Sequence, residues 1–386
     1  MKKRIDELDM VKGICMIYVF FRHLCELSGV NVYHPGFYSV FDCCTEAAMF
    51  LFVLLSGYVY KSKGSILHDI RNKFKQLLIP YLTYCAFFTL MYFVRYVLLE
   101  GMTFSLFLRN TLSNILAKPN LDIPALGTGA NVMRYAFVPY WYIAEIFMAF
   151  MLFIIVSKCV ETKSLRAKII AVACLLTGSC LLMHLDLRGL LVNTFASQAS
   201  YFMVVINIVG FAAILMIGSI LRQFRIFDIE AHSKRFTGIL FALCLIFTVS
   251  QIALYNNQYA LQYGKWGQYG LWSVGITTLT GFTLTYSLIY ISYYLKLIHP
   301  VKTVLLFIGG NTLDILLLHF GIAELICMIL GCWVPIYDVS YPVELFAWWH
   351  FVLVVVLTAV TVLGYLYVKR NTKTNSKTGM PNNRIT

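Results

Sequence analysis

The chain has 386 residues, of which 60% are hydrophobic and only 13% are charged. Soluble domains carry about 45–50% apolar and about 25% charged residues, so this composition excludes an ordinary soluble fold. A net charge of +13 would suggest nucleic acid as the partner of a soluble protein. The sequence contains no motif of a nucleic-acid-binding domain, and excess Lys and Arg are typical of the cytoplasmic loops of membrane proteins.

Ten apolar stretches are long enough to cross a bilayer, which takes about 20 helical residues. The ninth is long enough to tilt or break. Because helices satisfy their own backbone hydrogen bonds in lipid, we predict an all-α polytopic membrane domain over residues 1–370. We expect the polar segment 371–386 to be a disordered cytoplasmic tail. The ten stretches lie near residues 8–30, 45–60, 77–98, 140–157, 169–184, 201–221, 236–255, 271–295, 303–332 and 346–368.

The positions of the basic residues set the orientation. With both termini in the cytoplasm, 23 of the 31 Lys and Arg fall in cytoplasmic segments, 5 in outer loops and 3 within spans. This asymmetry is the positive-inside pattern. The sequence therefore predicts an integral protein of the plasma membrane (the inner membrane of a bacterium), with cytoplasmic N- and C-termini. The longest connection, 99–139, lies outside, and loops of this length are often functional.

The sequence predicts neither a cleavable signal nor a metal site. Lys12, Arg22 and His23 interrupt the first apolar run, and no A-x-A cleavage site follows it, so we keep this run as the first span. The eleven cysteines form no CxxC pair, and no HExxH motif or Cys/His cluster is present. We interpret the cysteines as small apolar packing residues and predict no metal site.

Polar side chains follow one face of the first predicted span. Lys12 and His23 are 11 residues apart, which is three helical turns plus about 20°, so both project from one face about 16 Å apart along the axis. Asp9 and Glu26 extend this face, which we expect to line a cavity. Histidine suits general-base work, and lysine could hold the phosphates or thioester of a donor. The alternative is a snorkelling Lys12 and an ordinary core histidine.

Five stretches of the chain carry motifs in a recognisable order. LDMVKGICMIYVFFRH at 8–23 has a basic residue, ten residues and then His, and FLFVLLSGYVY at 50–60 ends in Ser-Gly-aromatic. KFKQLLIPYL at 73–82 is a basic turn before a Pro-Tyr helix start, and YWYIAEIF at 140–147 starts a helix with Trp. FIGGNTLDILLLHF at 307–320 contains Gly-x-x-Thr-Leu followed by Leu-His. This set, over about residues 5–368, resembles the membrane acyltransferase-3 family.

The resemblance implies an enzyme that moves an acyl group, usually acetyl, from cytoplasmic acyl-coenzyme A to a hydroxyl of a sugar, polysaccharide or lipid-linked glycan precursor. His23 matches the family's catalytic histidine, and Lys12 matches its basic partner. At the position of Lys12 the family more often has Arg, whose guanidinium group can form two parallel hydrogen bonds, which a lysine ammonium group cannot. Gln76 stands where the family often has Arg. We expect the donor to contact Lys12 and six residues near the cytoplasmic side, namely Ser56, Gly57, Tyr58, Arg71, Lys73 and Lys75.

Further polar residues extend this hypothesis. Glu145 is an acid inside the fourth span, so we expect it to orient His23 or to hold acceptor hydroxyls, and we count it with the catalytic residues. We expect Glu26, Trp141 and His319 on the acceptor side. Simpler alternatives are an ion pair of Glu145 with Arg95 or Arg134, helix packing by Ser56, Gly57 and Tyr58, and interhelical hydrogen bonds by His319.

Two other classes of function fit parts of the sequence. A transporter or flippase for a glycan or small polar solute would also need about ten helices and buried charges, but such proteins often have repeated halves with paired broken helices, which this sequence lacks. A membrane sensor or assembly subunit would leave the polar face of the first span unexplained.

Overall fold

The computed structural model describes residues 5–28, 30, 34–62, 64–99, 101–108, 141–187, 199–255, 271–329 and 348–378. All regular elements within these ranges are helical, which confirms the predicted fold class. Two π-helical segments, Phe74–Leu78 and Phe93–Leu99, flank α4, and a short 3-10 turn covers Ile229–Ala231. The helices are α1 (Asp6–Leu27), α2 (Pro35–Val59), α3 (Ile66–Lys73), α4 (Ile79–Tyr92), α5 (Trp141–Cys159), α6 (Leu165–Leu187), α7 (Ala199–Gln223), α8 (Lys234–Tyr255), α9 (Leu271–Leu295), α10 (His299–Gly310), α11 (Thr312–Ile329) and α12 (Trp348–Thr378).

The helices follow the predicted spans. By length and composition alone, five helices within the described ranges can cross a membrane: α5, α6, α7, α8 and α12. A sixth is obtained if α10 and α11 are counted together. The protein is therefore an integral membrane protein with several apolar spans. α12 continues as helix to Thr378, beyond residue 370, where the sequence predicts that the membrane domain ends.

α1 lies at the centre of the helix bundle, although it carries six charged side chains. It packs against α2, α9, α10, α11 and α12. Two of its three acids near the start, Glu7 and Asp9, are buried, as is His23. Polar groups in a membrane domain are tolerated where they face other helices rather than lipid. The central position of α1 explains how this helix carries them.

Glycines hold α1 against α10 at backbone contact. A Cβ atom on Gly309 would overlap the carbonyl oxygen of Asp9, and one on Gly13 would overlap the carbonyl oxygen of Leu305. Small residues allow helix backbones in membranes to approach this closely. The beginning of α1 and the end of α10 are therefore fixed relative to each other.

The ninth predicted span breaks rather than tilts. α10 and α11 meet at an angle of 79°. Asn311 separates them, donates from Nδ2 to the carbonyl oxygen of Phe307 at 2.7 Å, and accepts from the backbone N–H of Ile315 at 3.0 Å. Asn311 thereby satisfies backbone groups that the bend would leave without helical partners. The bend directs α11 along α1, and so brings His319 to the first helix.

The π-helical turn before α4 has a local cause. Pro80 has no N–H to donate to the carbonyl of Gln76, and its ring would clash with that carbonyl in a regular helix. The wider turn Phe74–Leu78 lies directly before Pro80. Lys75 lies in this turn and Lys73 directly precedes it, so the wider turn sets the direction in which both side chains project.

Ion pairs join helix ends on the predicted cytoplasmic side. Lys296 donates to Glu7 at 2.6 Å and to Glu230 at 3.1 Å, and Lys302 lies 2.8 Å from Asp6. Burial lowers the pKa of Lys296, but the hydrogen bonds to the two glutamates outweigh it, so the pKa lies above its usual value and the side chain stays charged. These contacts tie the start of α1 to the α9–α10 connection and to α10, and they tie that connection to the turn Ile229–Ala231.

Candidate active site

His23 and His319 meet in the interior of the bundle. Nδ1 of His23 lies 2.9 Å from Nε2 of His319, and both side chains are buried. The ring planes differ by only 11°, and the ring centroids are 5.1 Å apart. That separation is what one linear hydrogen bond between two edge-to-edge rings would give. The two imidazoles therefore form a nearly coplanar pair.

A second hydrogen bond fixes the proton positions in this pair. Nδ1 of His319 lies 2.8 Å from the carbonyl oxygen of Ile315, which can only accept, so Nδ1 carries the proton. In the neutral ring, Nε2 of His319 then has a lone pair and accepts the Nδ1 proton of His23. The proton of neutral His23 is thus on Nδ1, and its Nε2 has a lone pair. A base with one nitrogen anchored and the other available is the arrangement that general-base catalysis uses.

Aromatic rings hold the histidine pair in place. The Phe320 ring stands edge-on to His23, with centroids 5.7 Å apart and planes at 88°. Phe20 lies one turn before His23, and its ring centroid is 5.9 Å from that of His319. Each histidine thus packs against a phenylalanine of the partner helix, which restricts rotation of both rings.

Lys12 lies on α1 toward the cytoplasmic end, as its spacing from His23 predicts. Its Nζ is 2.5 Å from Oδ1 of Asp9. The lysine side chain is 29% exposed, whereas the aspartate side chain is 9% exposed. The buried carboxylate therefore anchors an ammonium group that can still meet a ligand arriving from the cytoplasmic side.

Glu26 belongs to a charged group at the outer end of α1. NH2 of Arg22 lies 3.1 Å from Oε1 of Glu26, and the hydroxyl of Tyr38 donates to the same oxygen at 2.9 Å. The predicted polar face of α1 thus exists at both ends, with Asp9 and Lys12 at one end and Glu26 at the other.

Three residues of α2 are predicted to contact the donor, and two of them pack closely against other parts of the protein. A Cβ on Gly57 would overlap the carbonyl oxygen of Leu215 on α7, so the space beside this glycine is filled by protein. The buried ring of Tyr58 packs on Phe227 at 4.9 Å between centroids. Ser56 is half-buried, and its carbonyl accepts from the backbone N–H of Tyr60 at 3.1 Å.

The cytoplasmic basic segment is divided between exposed and packed cations. Arg71 and Lys75 are exposed, and so is Gln76. Nζ of Lys73 lies over the Phe150 ring, 4.0 Å from its centroid. A ligand with several negative charges could meet Arg71 and Lys75 directly, whereas Lys73 is held against α5.

Glu145 lies between α5 and α7. It is buried, and its Oε2 accepts from Nδ2 of Asn207 at 3.1 Å. The hydrogen bonds described for His23 and Glu145 therefore run to different partners, His319 and Asn207. The side chains of Trp141 and Arg95, and all of Arg134, lie outside the described residues.

The sequence pointed to His319 but not to its partner. The stretch that contains Leu-His marks this histidine, yet nothing in the local pattern indicates that it bonds to a histidine 296 positions earlier. Tyr38 and Asn207 gave no signal of their own, because a single hydroxyl or amide in an apolar helix has many possible partners.

Comparison with known proteins gives one match. A family model described as an acyltransferase domain matches residues 5–368, nearly the whole chain. No curated protein and no solved structure matches the sequence. The matched range includes the histidine pair, Lys12 and the ion pair at the outer end of α1.

Proposed function

Because the chain belongs to the acyltransferase-3 family and is a membrane acyltransferase, we propose that it transfers acetyl from cytoplasmic acetyl-coenzyme A to a sugar hydroxyl. The acceptor is a sugar, a polysaccharide or a lipid-linked glycan precursor. His23 is the general base. The hydrogen-bonded chain from Ile315 through His319 to His23 is the observation that carries this proposal, because it leaves the lone pair on Nε2 of His23.

The reaction requires one proton to move twice. Nε2 of His23 takes the proton of the acceptor hydroxyl as its oxygen attacks the thioester carbonyl carbon. A C–O bond forms, the tetrahedral centre collapses, and the C–S bond breaks. The coenzyme A sulfur leaves with the bond electrons and receives the proton from His23, which restores the neutral base. No acyl-enzyme intermediate is needed.

His319 acts as a positioning residue in this scheme. While His23 carries the acceptor proton it is a cation, and Nε2 of His319 accepts a hydrogen bond from its Nδ1. Hydrogen bonds with a charged partner are stronger than those between neutral groups. The pair thus stabilises the protonated base at the stage where charge develops, and it holds the ring in one orientation throughout.

Lys12 binds the other end of the donor in this scheme. It lies about 16 Å from His23 along α1, a distance suited to an elongated donor with phosphates at one end and a thioester at the other. We assign Lys12, Arg71 and Lys75 to the negatively charged part of the donor, because all three can be reached from the cytoplasmic side.

The test uses purified protein in lipid nanodiscs with acetyl-labelled acetyl-coenzyme A. Acceptors are glucose, galactose, mannose and N-acetylglucosamine as methyl glycosides and as long-chain alkyl glycosides. Release of free thiol and label on the sugar are both measured, for wild type and for His23→Ala. We expect both products from wild type with at least one acceptor and neither above background from His23→Ala.

A second assay separates catalysis from transport. If wild type releases no thiol with any hydroxyl acceptor, yet moves labelled sugar across the wall of sealed vesicles, the enzyme proposal is wrong and the chain is a transporter. If thiol is released and His23→Ala releases it equally fast, the assignment of His23 is wrong.

A further inference from the structure

Aromatic rings gather where the outer ends of α1, α2 and α12 meet. Phe37 stands edge-on to Trp348, with centroids 5.3 Å apart, and Phe351 lies 6.1 Å from Phe37. The His34 ring stacks on Trp348 at 4.5 Å. Phe37 and Trp348 nevertheless remain 40% and 44% exposed. The structure therefore holds two large rings rigidly in place while leaving parts of their surfaces uncovered.

A charged pair is linked to these rings through the residue that follows Phe37 in the chain. The chain neighbour of Phe37 is Tyr38, whose hydroxyl donates to Oε1 of Glu26 at 2.9 Å, and Arg22 lies 3.1 Å from the same oxygen. Both bonds end on Oε1, so the lone pairs of Oε2 can accept a hydroxyl. Tyr38 thereby connects the aromatic cluster to the Arg22–Glu26 pair.

The Arg22–Glu26 pair is close to the histidine base along α1. Arg22 precedes His23 in the chain, and Glu26 lies three residues beyond it, about 4.5 Å further along the helix axis. A six-membered sugar ring that bonds to Glu26 through one hydroxyl could reach toward His23 with another. The outer cluster is thus on the side from which an acceptor would approach.

This combination of groups matches one class of ligand. A pyranose ring has an apolar C–H face, which packs on aromatic rings, and a rim of hydroxyls, which bond to carboxylates and guanidinium groups. Binding sites of this kind join an aromatic surface to a few placed polar groups. Aromatic residues at a membrane interface also serve as anchors, but that role does not call for a half-buried ion pair that Tyr38 links to them.

We propose that a pyranose unit of the acceptor stacks on Phe37 and Trp348 at the outer ends of α2 and α12, while its hydroxyls bond to Glu26 and Arg22. This inference rests on the proposed function, since it assigns the acceptor side of the same site. Beyond the proposed function, it specifies where the sugar binds and which aromatic rings contact it.

The experiment measures sugar binding without requiring turnover. Saturation-transfer NMR is recorded on wild-type protein in nanodiscs with methyl glycosides of glucose, galactose, mannose and N-acetylglucosamine, and with 1-hexanol as an apolar control. The same spectra are recorded for Phe37→Ala, Trp348→Ala and Glu26→Gln. Phe104→Ala is the matched control, because Phe104 is also an exposed phenylalanine next to an outer loop and packs on Phe93 instead.

We expect at least one glycoside to give a signal that is strongest on its C–H face, and the two aromatic variants to weaken its affinity about fivefold or more, as truncation of a central aromatic contact does. Phe104→Ala should bind like wild type. The inference is overturned if no glycoside binds, or if binding is unchanged in Trp348→Ala and Phe37→Ala.

The two proposals can fail separately. In one case a glycoside binds through Trp348, but wild type releases no thiol from acetyl-coenzyme A in its presence. The sugar site is then supported and the acetyl-transfer proposal is wrong. In the other case wild type acetylates a glycoside, and Trp348→Ala does so with the same acceptor KM. Acetyl transfer is then supported and the proposed sugar site is wrong.

Discussion

Nδ1 of His23 and Nε2 of His319 lie 2.9 Å apart, although 296 residues separate them in the chain. The two helices that carry them touch because α10 is locked to the start of α1 through Gly13 and Gly309, and because the 79° bend then turns α11 along α1. The packing of three helix segments thus fixes the orientation of the His23 ring, which is buried in the bundle.

His319 should affect the rate through His23. Replacing a buried hydrogen-bond partner costs about 1–3 kcal/mol, so His319→Ala should lower kcat about 5- to 100-fold, with a KM for acetyl-coenzyme A within about twofold of wild type. His23→Ala should lose more, about 10²–10⁴-fold, because the base itself is removed. Single-turnover thiol release measures both.

His319→Gln tests positioning against mere packing. Its amide oxygen can accept the Nδ1 proton of His23, so this variant should recover most of the rate lost in His319→Ala. Its pH–rate profile should also shift, because His23 no longer shares a proton with a second imidazole. His68→Ala, at an exposed histidine of α3, serves as control. A His319→Gln enzyme as slow as His319→Ala, with an unchanged pH profile, would contradict a positioning role.

Lys12 should act on donor binding rather than on the chemical step. A charge-assisted hydrogen bond to a phosphate contributes about 1.5–3 kcal/mol, so Lys12→Ala should raise the KM for acetyl-coenzyme A about tenfold or more with little change in kcat. Lys12→Arg should retain affinity, since charge and reach are preserved. Lys163→Ala, at an exposed cytoplasmic lysine, is the control. If Lys12→Ala lowers kcat alone, the residue acts on the reaction and not on the donor.

Glu145 should contribute to the bundle more than to the reaction. Asn207 can still donate to the amide oxygen of Glu145→Gln, so we expect kcat to stay within about threefold of wild type. Asn207→Leu removes the donor from a buried carboxylate and should lower thermal stability, at a cost of about 1–3 kcal/mol. Unfolding of both variants is followed by tryptophan fluorescence in detergent. A Glu145→Gln enzyme that folds normally but is as slow as His23→Ala would give Glu145 the catalytic role that the sequence suggested.

Local features of the chain were predictable because they depend on one helix at a time. The polar face of α1, with Lys12 and His23 on one side, follows from helical periodicity, and the length of the ninth span indicated that it would tilt or break. The partners of His23 and Glu145 were not predictable, because they depend on how distant helices pack. The surroundings of Gly57 were not predictable either, because the sequence does not reveal that the carbonyl oxygen of Leu215 lies against this glycine.

Gly309 should be essential for the placement of α11, and therefore for His319. A methyl group at this position would overlap the carbonyl oxygen of Asp9, and backbone atoms of two packed helices cannot move apart cheaply. Overpacking of this kind costs about 1–3 kcal/mol or more, so Gly309→Ala should lower the midpoint of thermal unfolding and reduce kcat. Gly364→Ala is the matched control, because a Cβ there would meet nothing within 4 Å and alanine favours a helix. Unfolding midpoints and thiol release are measured on both proteins in the same detergent. If Gly309→Ala is as stable and as active as Gly364→Ala, close contact between α1 and α10 does not position the histidine pair.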